Sequence, residues 1–181
     1  MQATGARFVL PDRVVSQFHL NPGDQVADYG AGSGFFMCAL ARAVGPDGRV
    51  YACEIQKGLV ERLGDLARQQ RLQNVHPLWC DLEEEQGIKI DTGVLDAAIV
   101  VNTLFQIDDK ETALREMLRP LRSGGKFFVI DWTESFAGMG PRPEQVVPAA
   151  AVEELLQATH CQLERTFPAG EHHYGLAFRV L

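Results

Sequence analysis

Val26-Ala27-Asp28-Tyr29-Gly30-Ala31-Gly32-Ser33-Gly34-Phe35-Phe36 is the most informative stretch of the chain. It begins as an apolar β-rich run and ends by opening a helix. Glycines allow a tight turn and let a ligand approach the backbone. Free amides at a helix start favour an anionic group, so a nucleotide-like guest suits the turn. The spacing is not that of a dinucleotide fingerprint, which needs glycine where Phe35 stands. A phosphate-cradling loop would need Gly-Lys-Ser/Thr, and it is absent. The pattern is Asp-x-Gly-x-Gly-x-Gly, with Asp28 two residues before Gly30, where a carboxylate can meet a cationic group.

Outward from this turn, short β-rich runs alternate with stretches of helical period. The runs are Val26–Tyr29, Arg49–Cys53, Val75–Trp79, Leu95–Val101 and Lys126–Ile130, several of them apolar nearly throughout. That suits strands buried on both faces of a parallel sheet. Between them, Leu59, Val60, Leu63, Leu66 and Ala67 share one helical face after Gln56. Asp108 followed by Glu111 predicts a helix start, with Ala113, Leu114, Met117 and Leu118 as its apolar face. The helix after Gly34 is expected to stop at Gly45-Pro46. The last part changes character. A helix over Pro148–Thr159 precedes two runs, Gln162–Phe167 and Tyr174–Val180, joined as a hairpin. Glu83–Thr92 and Gly138–Val147 read as loops. The expected fold is α/β, doubly wound and Rossmann-like, with right-handed crossovers.

Two further acidic residues stand at strand ends. Glu54 follows the second run, where a carboxylate can accept hydrogen bonds from both ribose hydroxyls. Asp81 follows the third and can accept from an adenine amino group, or serve as a turn aspartate.

Here the chain resembles the class I S-adenosylmethionine-dependent methyltransferases. Asp28–Gly34 looks like their first motif, Glu54 matches the residue that holds the ribose, and Asp81 the one near the adenine. Leu118–Lys126 is similar to the family's turn before the fifth strand, with Ser123 in place of proline. Phe8–Pro11 and Asn102–Ile107 carry similarity to the small-molecule branch that includes the ubiquinone/menaquinone and arsenite methyltransferases. The resemblance implies a seven-stranded, mostly parallel sheet of order 3-2-1-4-5-7-6 with an antiparallel last strand. It implies S-adenosyl-L-methionine as cofactor, bound by Asp28, Gly30, Ala31, Gly32, Gly34, Glu54, Ile55, Asp81, Leu82 and Asn102. The implied activity is in-line transfer of a methyl group to a small-molecule acceptor. The alternatives are a methyltransferase acting on protein or RNA and a cofactor-binding module without catalysis.

His172, His173 and Asp131 are the candidate catalytic groups. Adjacent strand residues point to opposite faces, so at most one histidine of the pair is expected to face the site; the alternative is that both are hairpin-surface histidines. Phe8, Phe105, Trp132, Glu134 and Tyr174 are candidate walls for the acceptor. No metal site is expected. Cys38, Cys53, Cys80 and Cys161 are far apart and form no CxxC pair, so they read as free buried thiols.

Composition bounds the rest. The 181 residues fit a single domain, 1–181, with 1–20 as an N-terminal lid or helix segment. The apolar share of 46% suits a packed core and excludes a disordered chain. With 17 basic against 24 acidic residues the net charge is −7, which argues against nucleic acid as a partner. No run reaches the length of a membrane span and no signal peptide is evident, so a cytoplasmic protein is expected. The oligomeric state is left open.

Overall fold

In the computed structural model, which describes residues 9–136 and 138–181, seven strands form one sheet. They are β1 Gln25–Tyr29, β2 Arg49–Glu54, β3 Val75–Trp79, β4 Leu95–Val101, β5 Leu121–Trp132, β6 Cys161–Gly170 and β7 His173–Val180. Their order is β3-β2-β1-β4-β5-β7-β6. The five strands from β3 to β5 pair in parallel, and β7 runs antiparallel to both β5 and β6. Among the described residues the α-helices are α1 Pro11–Val15, α2 Met37–Val44, α3 Lys57–Gln69, α4 Lys110–Leu118 and α5 Ala149–Gln157. The order and directions are those the resemblance implies.

Period-two alternation divides the core into two layers. Val26, Ala52, Ile99, Phe128, Ile130 and Ala177 pack under α1, α2 and α3. Ala27, Cys53, Val100, Val129 and Leu176 pack on the other side, with Leu114 and Met117 of α4 and Val152 and Leu156 of α5. Strands covered on both faces account for the unbroken apolar runs.

The N-terminal segment is tied into the first layer. Phe18 is 1% exposed and stacks on Phe128, with centroids 4.0 Å apart, while Phe167 meets it edge-on. Lys126 Nζ donates to the carbonyls of Phe18 and His19. Within 9–20, the described part of the proposed lid or helix segment, Pro11–Val15 is helical and Val9, Val14, Val15 and Phe18 are core residues. Phe8 lies outside the described residues.

Three local readings shift. The N-cap of α4 is Asp109, not Asp108: its carboxylate accepts from the Thr112 N–H and hydroxyl. Two consecutive aspartates offer the same capping chemistry, and Glu83 holds the turn before the helix by accepting both the Asp108 and the Asp109 N–H. The Ser-Gly-Gly turn is a bulge inside β5, because Leu95 pairs with Leu121 but Ala97 with Lys126. Helix α2 begins at Met37, three residues past Gly34, and ends before Gly45 as expected.

Arg119 organises the long segment between β3 and β4. It donates to the carbonyls of Ile88 and Ile90 and to both oxygens of Glu116, which is 5% exposed and also accepts the Ile88 N–H. Removing the cation strands a buried carboxylate. Arg119→Met is expected to lower the unfolding free energy by about 2–4 kcal/mol, read by urea denaturation, and to speed amide exchange at Ile88.

Candidate functional site

The site lies where the carboxyl ends of β1, β2, β3 and β4 meet, as a doubly wound sheet requires at its switch point. The Cys53 carbonyl at the end of β2 accepts two N–H groups of the glycine turn, from Gly30 and Ala31, each at 2.9 Å. Glu54 adds a third hold: Oε2 accepts the Gly32 N–H at 3.0 Å and Oε1 the Gln56 N–H at 2.9 Å. The turn is thus fastened to its neighbour strand by backbone and side chain together.

The three glycines do different work. All have positive φ, at 70° for Gly30, 54° for Gly32 and 81° for Gly34, where an L side chain is strained. A Cβ at Gly30 would strike Thr103 Oγ1 at 2.6 Å, and one at Gly34 would strike Leu63 and Leu66 of α3 at 2.9 Å. At Gly32 the nearest atom is 3.8 Å away. Gly30 and Gly34 permit close packing inside the protein, and Gly32 leaves open room.

That room is a cavity of about 410 Å³. Of the ten residues expected to bind cofactor, Gly30, Gly32, Glu54, Ile55, Asp81, Leu82 and Asn102 line it. Asp28, Ala31 and Gly34 do not. Asp81 also accepts the Glu83 N–H at 3.0 Å, so it is a turn aspartate and a cavity residue at once. Sequence reasoning missed Gln56, Leu59, Glu83, Thr103 and Gln106. Only Thr103 left a signal, as the residue after a strand-end asparagine. Its hydroxyl bonds the Val101 carbonyl and its side chain backs Gly30.

Two buried acceptors at this end have no hydrogen-bond partner among the described residues, Asp28 Oδ2 and Asn102 Oδ1. Asp28 is 3% exposed, and burial, with the Glu54 carboxylate adding, pushes its carboxyl up to about 7. Asn102 is held at φ 52°, its N–H on the Ile130 carbonyl and its own carbonyl accepting from Gln106 Nε2. A buried acceptor without a donor is unfavourable by about 1–3 kcal/mol unless a ligand or water supplies one.

A second group gathers at the ends of β5 and β7. By alternation from Ile130 and Ala177, Trp132 and His173 face the α1–α2 layer, as Asp28 does from Val26 and Glu54 from Ala52. The two rings pack 4.2 Å apart. Gly140 lies against the same indole, where a Cβ would come within 2.7 Å of the ring. His173 is 7% exposed and neither ring nitrogen has a partner among the described residues. Burial, with His172 adding, pushes its imidazole down to about 4, so it is neutral near pH 7.

The other candidates are occupied. His172 is buried rather than on the hairpin surface: it stacks on Phe136 at 3.7 Å and its Nδ1 meets Glu134 at 2.9 Å. Asp131 turns to the opposite face and accepts the Leu104 and Trp132 N–H groups. Burial still pushes its carboxyl up to about 6. Tyr174, on that face too, has a hydroxyl without a partner, raised by burial and by Asp131. No cluster of three or more His, Cys, Asp or Glu able to hold a metal ion occurs among the described residues.

The chain has known relatives. A family model described as a methyltransferase domain matches residues 20–167. The 2-phytyl-1,4-naphtoquinone methyltransferase of Synechococcus elongatus is 29% identical over 169 residues, covering 86% of this chain and 70% of that one. A ubiquinone/menaquinone biosynthesis C-methyltransferase of Vibrio campbellii is 29% identical over 114 residues, 62% of this chain and 43% of that one. The crystal structure of an S-adenosylmethionine-dependent methyltransferase from Aquifex aeolicus superposes with a TM-score of 0.87 at 25% identity, over 96% of this chain and 91% of that one.

The raised Asp28 carboxyl has a measurable consequence. The unfolded chain releases this proton near pH 4 and the folded one near pH 7, so the group lowers stability progressively as pH rises through that window. Asp28→Asn is expected to raise the melting temperature of the ligand-free protein at pH 8 and to leave it nearly unchanged at pH 4, measured by calorimetry.

Proposed function

Given that the chain belongs to the methyltransferase-domain family and is an S-adenosylmethionine-dependent methyltransferase, we propose that its acceptor is a small hydroxylated ring of the quinol class. Asp28 carries the cofactor assignment: a buried carboxyl oxygen without a partner, beside a glycine turn with open space at Gly32. Relatives named for quinone substrates support the acceptor class, and so does an aromatic wall with a free imidazole.

The residues present fit the cofactor. Bound S-adenosylmethionine supplies a methyl group on an electrophilic sulfonium. In our reading Asp28 takes the ammonium of its amino-acid end, which restores the carboxylate's ionised form by bringing a cation to it. Glu54 has lone pairs left beyond its two backbone donors, and these accept the ribose hydroxyls. Asp81 and Asn102 Oδ1 accept from the remaining donors. Ile55, Leu59 and Leu82 keep the cavity dry. Gly30, Gly32 and Ile55 serve as its backbone walls, while Ala31 and Gly34 fix the turn without touching the ligand.

For the acceptor, Trp132 gives a flat apolar face, and the neutral His173 ring takes a hydroxyl proton at whichever nitrogen lacks one. His172, held by Glu134 and Phe136, positions this strand end. Asp131, engaged by two backbone donors, positions the 3₁₀ turn Leu104–Gln106 that follows β4. Alignment of two reactants does most of the work and contributes up to about 7–11 kcal/mol. We also propose that the chain acts as one domain, and that it works in the cytoplasm, where its four free cysteines would stay reduced.

Calorimetric titration with S-adenosylmethionine, with NADH as control, tests the first half. Binding of the former alone is expected, weakened at least about tenfold by Glu54→Gln and by Asp28→Asn. Transfer of a labelled methyl group to naphthoquinols and benzoquinols tests the second. Labelling of protein or RNA in place of the quinols would overturn the acceptor class. His173→Asn is expected to lower kcat about 10²–10³-fold with cofactor affinity retained; an unchanged kcat removes His173 from the reaction.

A further inference from the structure

Cys53 and Cys80 are 27 residues apart in sequence, and the sheet brings them together. Cys53, next to last in β2, lies opposite Leu78 of β3, and Cys80, two residues further and just past the end of β3, packs into the same core layer. Both belong to the α4-side core layer, and each thiol bears on the titration of the other. Cys53 is 0% and Cys80 1% exposed, yet both line the cofactor cavity, beside Glu54 and Asp81. Their route to solvent is that cavity. Neither Cys38 nor Cys161 lines the cavity.

We propose that Cys53 and Cys80 form a peroxide-oxidisable dithiol on the floor of the cofactor cavity, and that its closure to a disulfide weakens cofactor binding. The inference goes beyond methyl transfer but shares its reading of the cavity. The two thiols differ in a useful way. Cys80 is shifted down, by the neighbouring Cys53 thiol first and, against the opposing effect of burial, by the backbone N–H and charge of Lys89; Cys53 is shifted well up. Cys80 is thus the nucleophile and Cys53 the resolving thiol. The Cys80 thiolate attacks a hydroperoxide oxygen, breaking the O–O bond. Cys80 becomes a sulfenic acid and, after protonation, an alcohol or water leaves. The Cys53 sulfur then attacks the sulfenic sulfur and water departs. Overall, two thiols and one hydroperoxide give one disulfide, one alcohol or water, and one water.

The effect on the cofactor follows from position. The Cys53 carbonyl holds Gly30 and Ala31, and the Cys80 N–H is bonded to the Glu54 carbonyl at 3.1 Å. Drawing the two sulfurs to bonding distance moves the backbone that carries the glycine turn, Glu54 and Asp81. By reciprocity, bound cofactor hinders disulfide formation.

Hydrogen peroxide treatment of the full chain, read by intact mass and peptide mapping, tests the chemistry without reference to cofactor. A loss of about 2 Da mapped to Cys53–Cys80, reversed by dithiothreitol and slowed by S-adenosylmethionine, is expected. Calorimetry is expected to show affinity reduced at least about tenfold after oxidation and restored on reduction. Cys38→Ser/Cys161→Ser, which keeps only this pair, is expected to respond like the wild type. Cys80→Ser, whatever its own affinity, is expected to show no reversible change. No disulfide under peroxide, a disulfide involving another cysteine, or an oxidised protein of unchanged affinity would overturn the proposal. A reduced protein that binds no S-adenosylmethionine would instead sink the reading of the cavity, and the mass result would still decide whether the dithiol exists.

Discussion

The end of β2 fastens the glycine turn, and the site depends on that fastening. One carbonyl, that of Cys53, accepts two successive N–H groups, and the next side chain, Glu54, accepts a third. A turn of positive-φ glycines has little conformational preference of its own. Without those three bonds it would have no reason to hold the one shape that leaves Gly32 open. The same strand end carries the carboxylate proposed for the ribose and one thiol of the proposed dithiol. Cofactor binding, loop geometry and redox state are therefore coupled through a few residues.

The site is also a reservoir of unfavourable terms. Asp28, Asn102 and His173 bury polar atoms that nothing among the described residues satisfies. Each destabilises the empty protein, and each becomes favourable when a ligand supplies the missing donor or acceptor. The stabilising terms lie elsewhere, in the stacked Phe18 and Phe128, in strands buried on both faces, and in the Arg119 network. The division resembles that of many enzymes, in which a well-packed scaffold tolerates strain at the place where chemistry occurs.

The sheet separates duties by face. Asp28, Glu54, Trp132 and His173 look toward α1 and α2, and Asp131, Tyr174 and the two thiols toward α4 and α5. Alternation along a strand foretold that neighbours would part, and Asp131 and Trp132 do. It did not foretell the fate of His172 and His173. Both are buried, because the segment after β5 folds back and places Phe136, Glu134 and Gly140 over the tips of β5 and β7. That return is a long-range contact with no local signature. The turn that leads into α4 is held from a distance too, by Glu83, 26 residues before Asp109.

The sequence by itself determined the strand and helix order, the glycine turn and the acidic residues at the strand ends. These are written in short-range terms: apolar period, glycine spacing, and the position of a carboxylate after a β-rich run. The resemblance supplied the strand order. Only the tertiary structure decided which glycine faces open space, which histidine keeps free nitrogens, and that Cys53 meets Cys80. Each of those outcomes depends on which residue from a distant part of the chain fills, or leaves unfilled, the space beside a given side chain, and spacing along one chain does not encode that.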